Sequence, residues 1–359
     1  MNTICLIGGK LQGFEVAYLA HKAGMEVVLV DKNPRALIRN VVDQTFCFDI
    51  TKQPEKLVDL SREFSAIIPT NENLDSILFL KKIASELHCP LLFDFDAYHV
   101  SMDKKRSKEY FSSIDVPTPF DKPSKPPYFV KPPCMSSSIG ARIVETEEEL
   151  AEIDPDMLVE EYVTGPVISL EVVGNGQDYA VGQQTQVHID DVYDCHKVTP
   201  METDGNFREI SYQLAKNLNL KGIMDVEAIA SQSGIRVIEI DARFPSQTPT
   251  VVYHSSGINL LTWLMDAFCK EVPDVKPQTL KHCVYEHLMI DDGNLTPTGE
   301  HLFSEGEDYF RLFEDEEIEI FKSTGKYTIY TLICTGESPD KVENNHNKAI
   351  EIIRKDMEK

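Results

Sequence analysis

Residues 222–245, GIMDVEAIASQSGIRVIEIDARFP, constrain the fold of this chain more than any other stretch. Two runs of alternating apolar and polar residues flank the SQSG at 231–234, which is the pattern of a β-hairpin. With the turn centred on Ser233, Asp225 lies across from Asp241 and Glu227 across from Glu239. Period-two alternation then sends all four acids to one face and Met224, Val226, Ile238 and Ile240 to the other. Like charges opposed in a ladder are destabilising, so this face needs a counter-charge. A divalent cation, Mg²⁺, would supply it, because hard cations take carboxylate oxygens and share their remaining positions with phosphate. A solvated acidic face is the alternative. Arg243, on the acidic face, points to an anionic ligand as well.

The first hundred residues have a different pattern. An apolar strand at 3–7 runs into Gly8, Gly9 and Gly13, then a helix at 14–23 and a strand at 26–30 that ends on Asp31. That order describes a mononucleotide-binding βαβ unit. Further strands are expected at 45–48, 66–69 and 90–93, with a helix at 73–86 between the last two, giving a parallel, doubly wound sheet. The spacing is GGxxxG and not GxGxxG, so the glycines read equally well as a tight turn that lets a helix pack closely. Lys10, Asp31, Asp49 and Glu72 fall just past strand ends, the edge at which such sheets bind ligands.

Seven of the twenty prolines lie within residues 117–133, an extended connector that marks a boundary. A charged helix at 101–114, carrying Asp103, Lys104, Lys105, Arg106 and Lys108, precedes it. A strand at 128–131 ends on Lys131, and a Ser/Gly loop at 136–142 then offers amides and hydroxyls to phosphate. Strands at 156–163 and 167–174 follow. His188, Asp190 and Asp194 would share a strand face, but their spacing fits no zinc pattern, and a solvated strand or substrate-side loop is the better reading.

Net charge excludes whole classes of partner. Against 35 Lys+Arg the chain has 59 Asp+Glu, a formal charge of −24 that repels phosphate backbones and anionic lipid. No apolar run reaches the roughly 18–20 residues of a membrane span, and the first residues read as a strand, not a signal peptide. Eight scattered cysteines without a CxxC imply free thiols in a reducing cytoplasm. Residues 305–319 carry eight acids and one base, read as an exposed strand-and-loop surface.

In order, the motifs resemble the ATP-grasp superfamily over roughly residues 1–290, whose members activate a carboxylate with ATP and join it to an amine. MNTICLIGGKLQGFE, DKPSKPPYFVKPPC, LKGIMDVEAI and VIEIDARFPSQTPTVVY are similar, over essentially the whole length, to the pyrrolysine-biosynthesis ligases of that superfamily. The resemblance implies an α/β protein: a Rossmann-like parallel-sheet domain (1–98), an α+β ATP-grasp domain (99–290, lid about 117–182) and a small β-rich C-terminal domain (291–359). It implies ATP and Mg²⁺ as cofactors and 3-methylornithine and L-lysine as substrates, and it admits a homodimer. Lys104, Lys131 and Ser138 then meet the nucleotide phosphates, and Glu160, Glu161, Tyr162 and Val163 hold adenine and ribose. Glu227, Glu239 and Asp241 hold Mg²⁺; Asp241, where many relatives carry Asn, would alternatively read a substrate ammonium. Ser169, Leu170, Glu171, Asp225, Arg243, Ser246, Gln247 and Thr248 line the carboxylate substrate. Lys10, Leu11, Gln12 and Glu72 face the second amino acid, or Lys10 joins Asp31, Asp49 and Ile50 around a second nucleotide. Arg243 and Lys131 are the catalytic cations. Two other readings stay open: a ligase for another amino-acid pair, and an NAD(P)-dependent oxidoreductase built on the first βαβ unit.

Overall fold

The computed structural model describes residues 2–121, 123–134, 139–269, 272–273 and 281–359; residues 136–138 of the Ser/Gly loop, Ser138 among them, lie outside these. The N-terminal region holds β1 (Thr3–Ile7), α1 (Leu11–Lys22), β2 (Glu26–Asp31), β3 (Gln44–Cys47), α2 (Pro54–Leu60), β4 (Ala66–Pro69) and α3 (Leu74–Ile83). Its strands form a parallel sheet in the order β3–β2–β1–β4. Near-continuous apolar runs such as Ile4–Ile7 and Val27–Val30 are buried, as a sheet covered on both faces requires. The strand expected at 90–93 is reduced to a single bridge between Leu91 and Ile67. The glycine turn packs as tightly as its composition suggests. Gly8 has φ +112°, and a Cβ on Gly13 would stand 2.8 Å from the Gly8 carbonyl oxygen. The helix therefore begins at Leu11 and takes Gly13 into its first turn.

The charged helix expected at 101–114 is α5 (Lys104–Ser113), and a short α4 (Phe95–Ser101) that the sequence did not suggest precedes it. Asp103 breaks the run by accepting hydrogen bonds from the amides of Lys105 and Arg106, an N-cap that starts a new helix. Lys104 thereby becomes the first residue of α5. The lid is a three-stranded antiparallel sheet of β5 (Tyr128–Lys131), β6 (Arg142–Val144) and β7 (Leu158–Glu161), with α6 (Glu147–Ala151) beside it. Tyr128, Val130 and Val144 make its small separate core.

The remainder builds one large antiparallel sheet. The middle of the chain supplies β8 (Val167–Asn175), β9 (Tyr179–Val181), β10 (Thr185–Ile189), β11 (Cys195–Pro200), α7 (Gly205–Leu218), β12 (Lys221–Ser231), β13 (Gly234–Asp241), α8 (Thr248–Ser256) and α9 (Leu260–Cys269). The last part supplies β14 (His282–Asp291), β15 (Asn294–Pro297), a 3₁₀ turn at Glu300–Glu305, β16 (Gly306–Glu314), β17 (Ile318–Gly325), β18 (Ile329–Gly336) and α10 (Pro339–Met357). The order β13–β12–β8–β10–β11–β14–β18–β17–β16 is continuous, so residue 291 ends a strand inside one sheet that spans the expected second and third domains. The acidic 305–319 stretch is not merely exposed. Arg39 and Arg35 pair with Asp308 and Glu307, and buried Glu319 accepts from Tyr18 and Lys22 of α1, tying this segment to the N-terminal domain.

Candidate active site

The hairpin register is the expected one in its acidic half. Asp225 is paired with Asp241 and Glu227 with Glu239. The turn itself is one residue tighter, closing Ser231 onto Gly234, and a bulge between Glu227 and Ala228 restores the register. Ile238 is the residue that the bulge displaces. It lines the cavity with the acids instead of joining the apolar back face, where Met224, Val226 and Ile240 are buried. On the other side of β12, β8 pairs Glu171 with Asp225 and Ser169 with Glu227. Two rows of polar side chains thus cross three strands: Glu171–Asp225–Asp241 and Ser169–Glu227–Glu239. Leu170, between Ser169 and Glu171, points into the core behind them.

Two cations meet these acids, and two more meet Glu160 beside them. Lys104 Nζ lies 2.6 Å from Glu239 Oε1, and the Glu239 carboxylate outweighs the burial that would otherwise lower the lysine, so its pKa is raised. Arg243 bridges Asp241 at 2.6 Å and Glu72 at 2.8 Å, joining the hairpin to the loop after β4. Lys131 reaches from the lid to Glu160 at 3.0 Å and to the carbonyl of Ile238 at 3.2 Å. Lys108, which the sequence offered only as part of a charged helix face, is buried against Glu160 at 2.7 Å. Burial would raise Glu160, but Lys131 and Lys108 outweigh it and hold the carboxyl below its usual range.

The opposite balance holds on the hairpin. Burial, then the neighbouring acids, push Asp225 and Glu227 upward, and burial lifts Asp241 against the pull of Arg243. Glu171 is raised to about 7 by burial, with Thr248 pulling the other way without forming a well-made hydrogen bond. One oxygen of Asp225 and the hydroxyl of Ser169 are buried without a partner. These are the donors that a hard cation and a polar substrate need. Among the described residues no three potential ligands are already gathered at metal-binding spacing, and Lys104 and Arg243 occupy Glu239 and Asp241 in their place.

Asp225, Glu227, Glu239 and Asp241, with Lys104, Lys131, Glu160 and Arg243, line one cavity of about 190 Å³, less than the roughly 300 Å³ at which drug-sized pockets begin; Ser169 and Glu171 lie outside that lining. Its roof is the lid, where Phe129 packs edge-on against Tyr193 at 5.3 Å. Among the described residues Glu161, Tyr162 and Val163 lie outside that lining; they follow Glu160 into the link to β8, and the Glu161 amide bonds the Phe120 carbonyl. A second cavity of about 440 Å³ is lined by Lys10, Leu11, Gln12, Glu72, Ser246, Glu300 and His301, and it shares Ile139 and Glu300 with the first. Gln12 donates to Glu72 at 2.9 Å. Gln247, at φ +66°, contacts Cys195 and positions the start of α8. Lys10, Asp31, Asp49 and Ile50 line a third cavity of about 540 Å³ at the N-terminal sheet edge, where Asp31 also accepts from the Gly9 amide at 2.8 Å. Sequence reasoning missed Glu300 and His301, which follow β15 in a segment with no recognisable motif. Asp194 was named only within the solvated His188 cluster, whereas its side chain is buried.

Sheet, lid and cation placement together define the ATP-grasp class, and a model of the ATP-grasp domain matches residues 101–247. The solved N5-carboxyaminoimidazole ribonucleotide synthetase of Thermotoga maritima superposes with TM-score 0.69 at 19% identity, covering 98% of each chain. The biotin carboxylase domain dimer of the Hydrogenobacter thermophilus 2-oxoglutarate carboxylase, solved with MgADP and bicarbonate, gives TM-score 0.71 at 17% identity over 93% of this chain and 86% of that one. At the level of sequence the similarity is far higher. The 3-methyl-D-ornithine–L-lysine ligase of Methanosarcina acetivorans is 57% identical over 99% of this chain and 98% of its own. That of Methanosarcina mazei is 57% identical over 99% and 96%. The chain belongs to the 3-methyl-D-ornithine–L-lysine ligase family.

Proposed function

We propose that this protein is an ATP-dependent ligase that joins the carboxylate of (3R)-3-methyl-D-ornithine to the side-chain amine of L-lysine, releasing ADP and phosphate, in pyrrolysine biosynthesis. The observation that carries the reading is the pair of polar rows across β8, β12 and β13, with Lys104 and Lys131 beside them in one cavity. The curated names of the relatives supply the substrates.

The nucleotide enters between lid and hairpin, its phosphates drawing Lys104 from Glu239 and Lys131 from Glu160. Glu227 and Glu239, with Asp241 beside them, would hold Mg²⁺, whose charge offsets that of the phosphates. Phosphoryl transfer asks mainly for positioning and electrostatic stabilisation, which the lysines provide. Arg243 orients the ornithine carboxylate, and Ser169, Glu171, Asp225 and residues 246–248 hold the rest of that substrate. The carboxylate oxygen takes the γ-phosphoryl group, and the closed lid keeps water from the acyl phosphate. Lysine, held near Glu72 and residues 10–12, then attacks the acyl carbon through its ε-amine and phosphate leaves. Holding the two amino acids in line supplies an effective molarity on the order of 10⁵ M or more.

The cavity at Lys10, Asp31, Asp49 and Ile50, at about 540 Å³, is large enough for a second nucleotide; equilibrium dialysis giving one ATP per chain would count against it. We read the enzyme as cytoplasmic and acting on small molecules, in keeping with its free cysteines and its charge. No helix among the described residues is long and apolar enough to cross a membrane. The test of the ligase reading is ADP release that requires both amino acids.

A further inference from the structure

Lysine's ε-ammonium has a reference pKa of about 10.4, so at neutral pH the attacking amine must lose a proton within the complex. Among the groups lining the second cavity, Glu72 is tied to Arg243 and Gln12, and Glu300 accepts from Ser246 at 2.6 Å. His301 is different. Its Nδ1 is bonded to Oδ2 of Asp194, which also accepts the His301 backbone amide at 2.9 Å. With the carboxylate accepting, Nδ1 carries a proton, so in the neutral ring Nε2 is the nitrogen that accepts.

This pairing is built into the fold. Asp194 comes from the β10–β11 turn and His301 from the 3₁₀ turn after β15, 107 residues apart. Asp194 fits under that turn only because residue 299 is glycine: a Cβ there would lie 2.1 Å from Asp194 Oδ2. The β10–β11 turn that carries Asp194 is itself held, since the Asp190 carboxylate accepts the Asp194 amide at 2.9 Å. Asp194 lines the first cavity and His301 the second, so the pair stands where the two meet.

We propose that His301, oriented by Asp194, is the general base that accepts the proton of the attacking lysine amine. The inference rests on the ligase reading. Nε2 takes one proton from the ε-ammonium, the amine's lone pair forms the bond to the acyl carbon, the carbon–oxygen bond to phosphate breaks, and the departing phosphate takes the second nitrogen proton, leaving the neutral amide. The imidazolium then returns its proton to solvent through its exposed edge; the side chain is 32% exposed. The charged groups around it are Asp194, bonded to its ring, and Lys10, Glu72 and Glu300, which line the same cavity; behind these, Asp190 accepts the Asp194 amide and Arg243 pairs with Glu72.

The test separates the two half-reactions at fixed ATP, Mg²⁺ and 3-methylornithine. Hydroxylamine, a nucleophile that is largely unprotonated at neutral pH, traps the acyl phosphate as a hydroxamate; lysine gives the amide. His301→Gln is expected to keep hydroxamate formation within about threefold while amide formation falls 10²-fold or more. The unsubstituted enzyme is expected to show an acid limb in kcat/KM for lysine, and His301→Gln should remove it. Asp194→Asn should lower amide formation in the same selective way with that limb displaced. Equal loss of both products in both variants, or lysine turnover by His301→Gln within threefold and with an unaltered pH profile, overturns the proposal. If the unsubstituted enzyme forms no hydroxamate, it is the ligase reading itself that has failed.

Discussion

At Glu239 a single carboxylate faces Glu227 across the ladder and Lys104 from α5. Glu239→Gln keeps the size of the side chain and removes the charge. The expected result is turnover reduced by at least 10²-fold with the unfolding midpoint little changed, since an ion pair that is partly solvated contributes about 1 kcal/mol or less. Full activity in that variant would remove Glu239 from the metal site. Glu15 acts on stability instead. It is wholly buried in α1, accepts from Thr250 at 2.6 Å, and burial lifts its pKa from 4.5 to about 7. Between those values the folded state holds a proton that the unfolded chain releases, so its contribution is present at low pH and is lost as pH rises. Glu15→Gln should therefore flatten the decline in stability between pH 5 and 8, by an amount on the order of 3 kcal/mol at most; urea melts at the two pH values measure it. The charge pattern revealed the hairpin acids because alternation and opposed charge are local. Glu15 was invisible, since one acid in an amphipathic helix signals nothing until the partner helix is placed on it.

At the scale of elements, the hairpin and the first βαβ unit were legible because each is set by residues near in sequence. Their misreadings share a cause: one residue overriding a pattern. Asp103 caps α5 and so starts it three residues later than the expected 101, and the bulge at Ile238 turns an apolar residue toward the acids. The strand ending on Lys131 was legible, but the contact of its Phe129 with Tyr193 depends on a turn 60-odd residues away. Since β5 to β7 carry only a small core of their own, nucleotide held by Lys131 should order the lid as a unit. Trypsin cleavage after the exposed Arg142 is expected to slow several-fold with Mg·ATP, and an unchanged rate would count against closure.

For the whole molecule, the net charge of −24 gave no sign of where charge is concentrated. Glu15 and Glu171 near 7, and Asp225 and Glu227 raised by burial and then by the neighbouring acids, make the folded protein take up protons around neutrality. Buried His254 and His287, lowered to about 4 and about 3, act with the opposite sign but only below about pH 6.5. Between pH 6.5 and 8 the protein without nucleotide should lose stability, because the unfolded chain binds fewer protons than the folded one. A cation on the hairpin removes that penalty, so saturating Mg·ATP should raise Tm more at pH 8 than at pH 6.5. A smaller rise at pH 8 would argue against metal among these acids. The continuous sheet could not be foreseen either, since β14 joins β11 to β18 across a stretch that carried no motif.

The central claim is carboxylate activation by phosphoryl transfer followed by amide formation. Its most direct measurement is the nucleotide product, resolved by chromatography, in reactions with ATP, Mg²⁺, 3-methyl-D-ornithine and L-lysine, each omitted in turn. The account predicts one ADP and one phosphate per amide, with no amide when any component is missing. AMP and pyrophosphate in place of ADP, or amide formed without 3-methyl-D-ornithine, would contradict it.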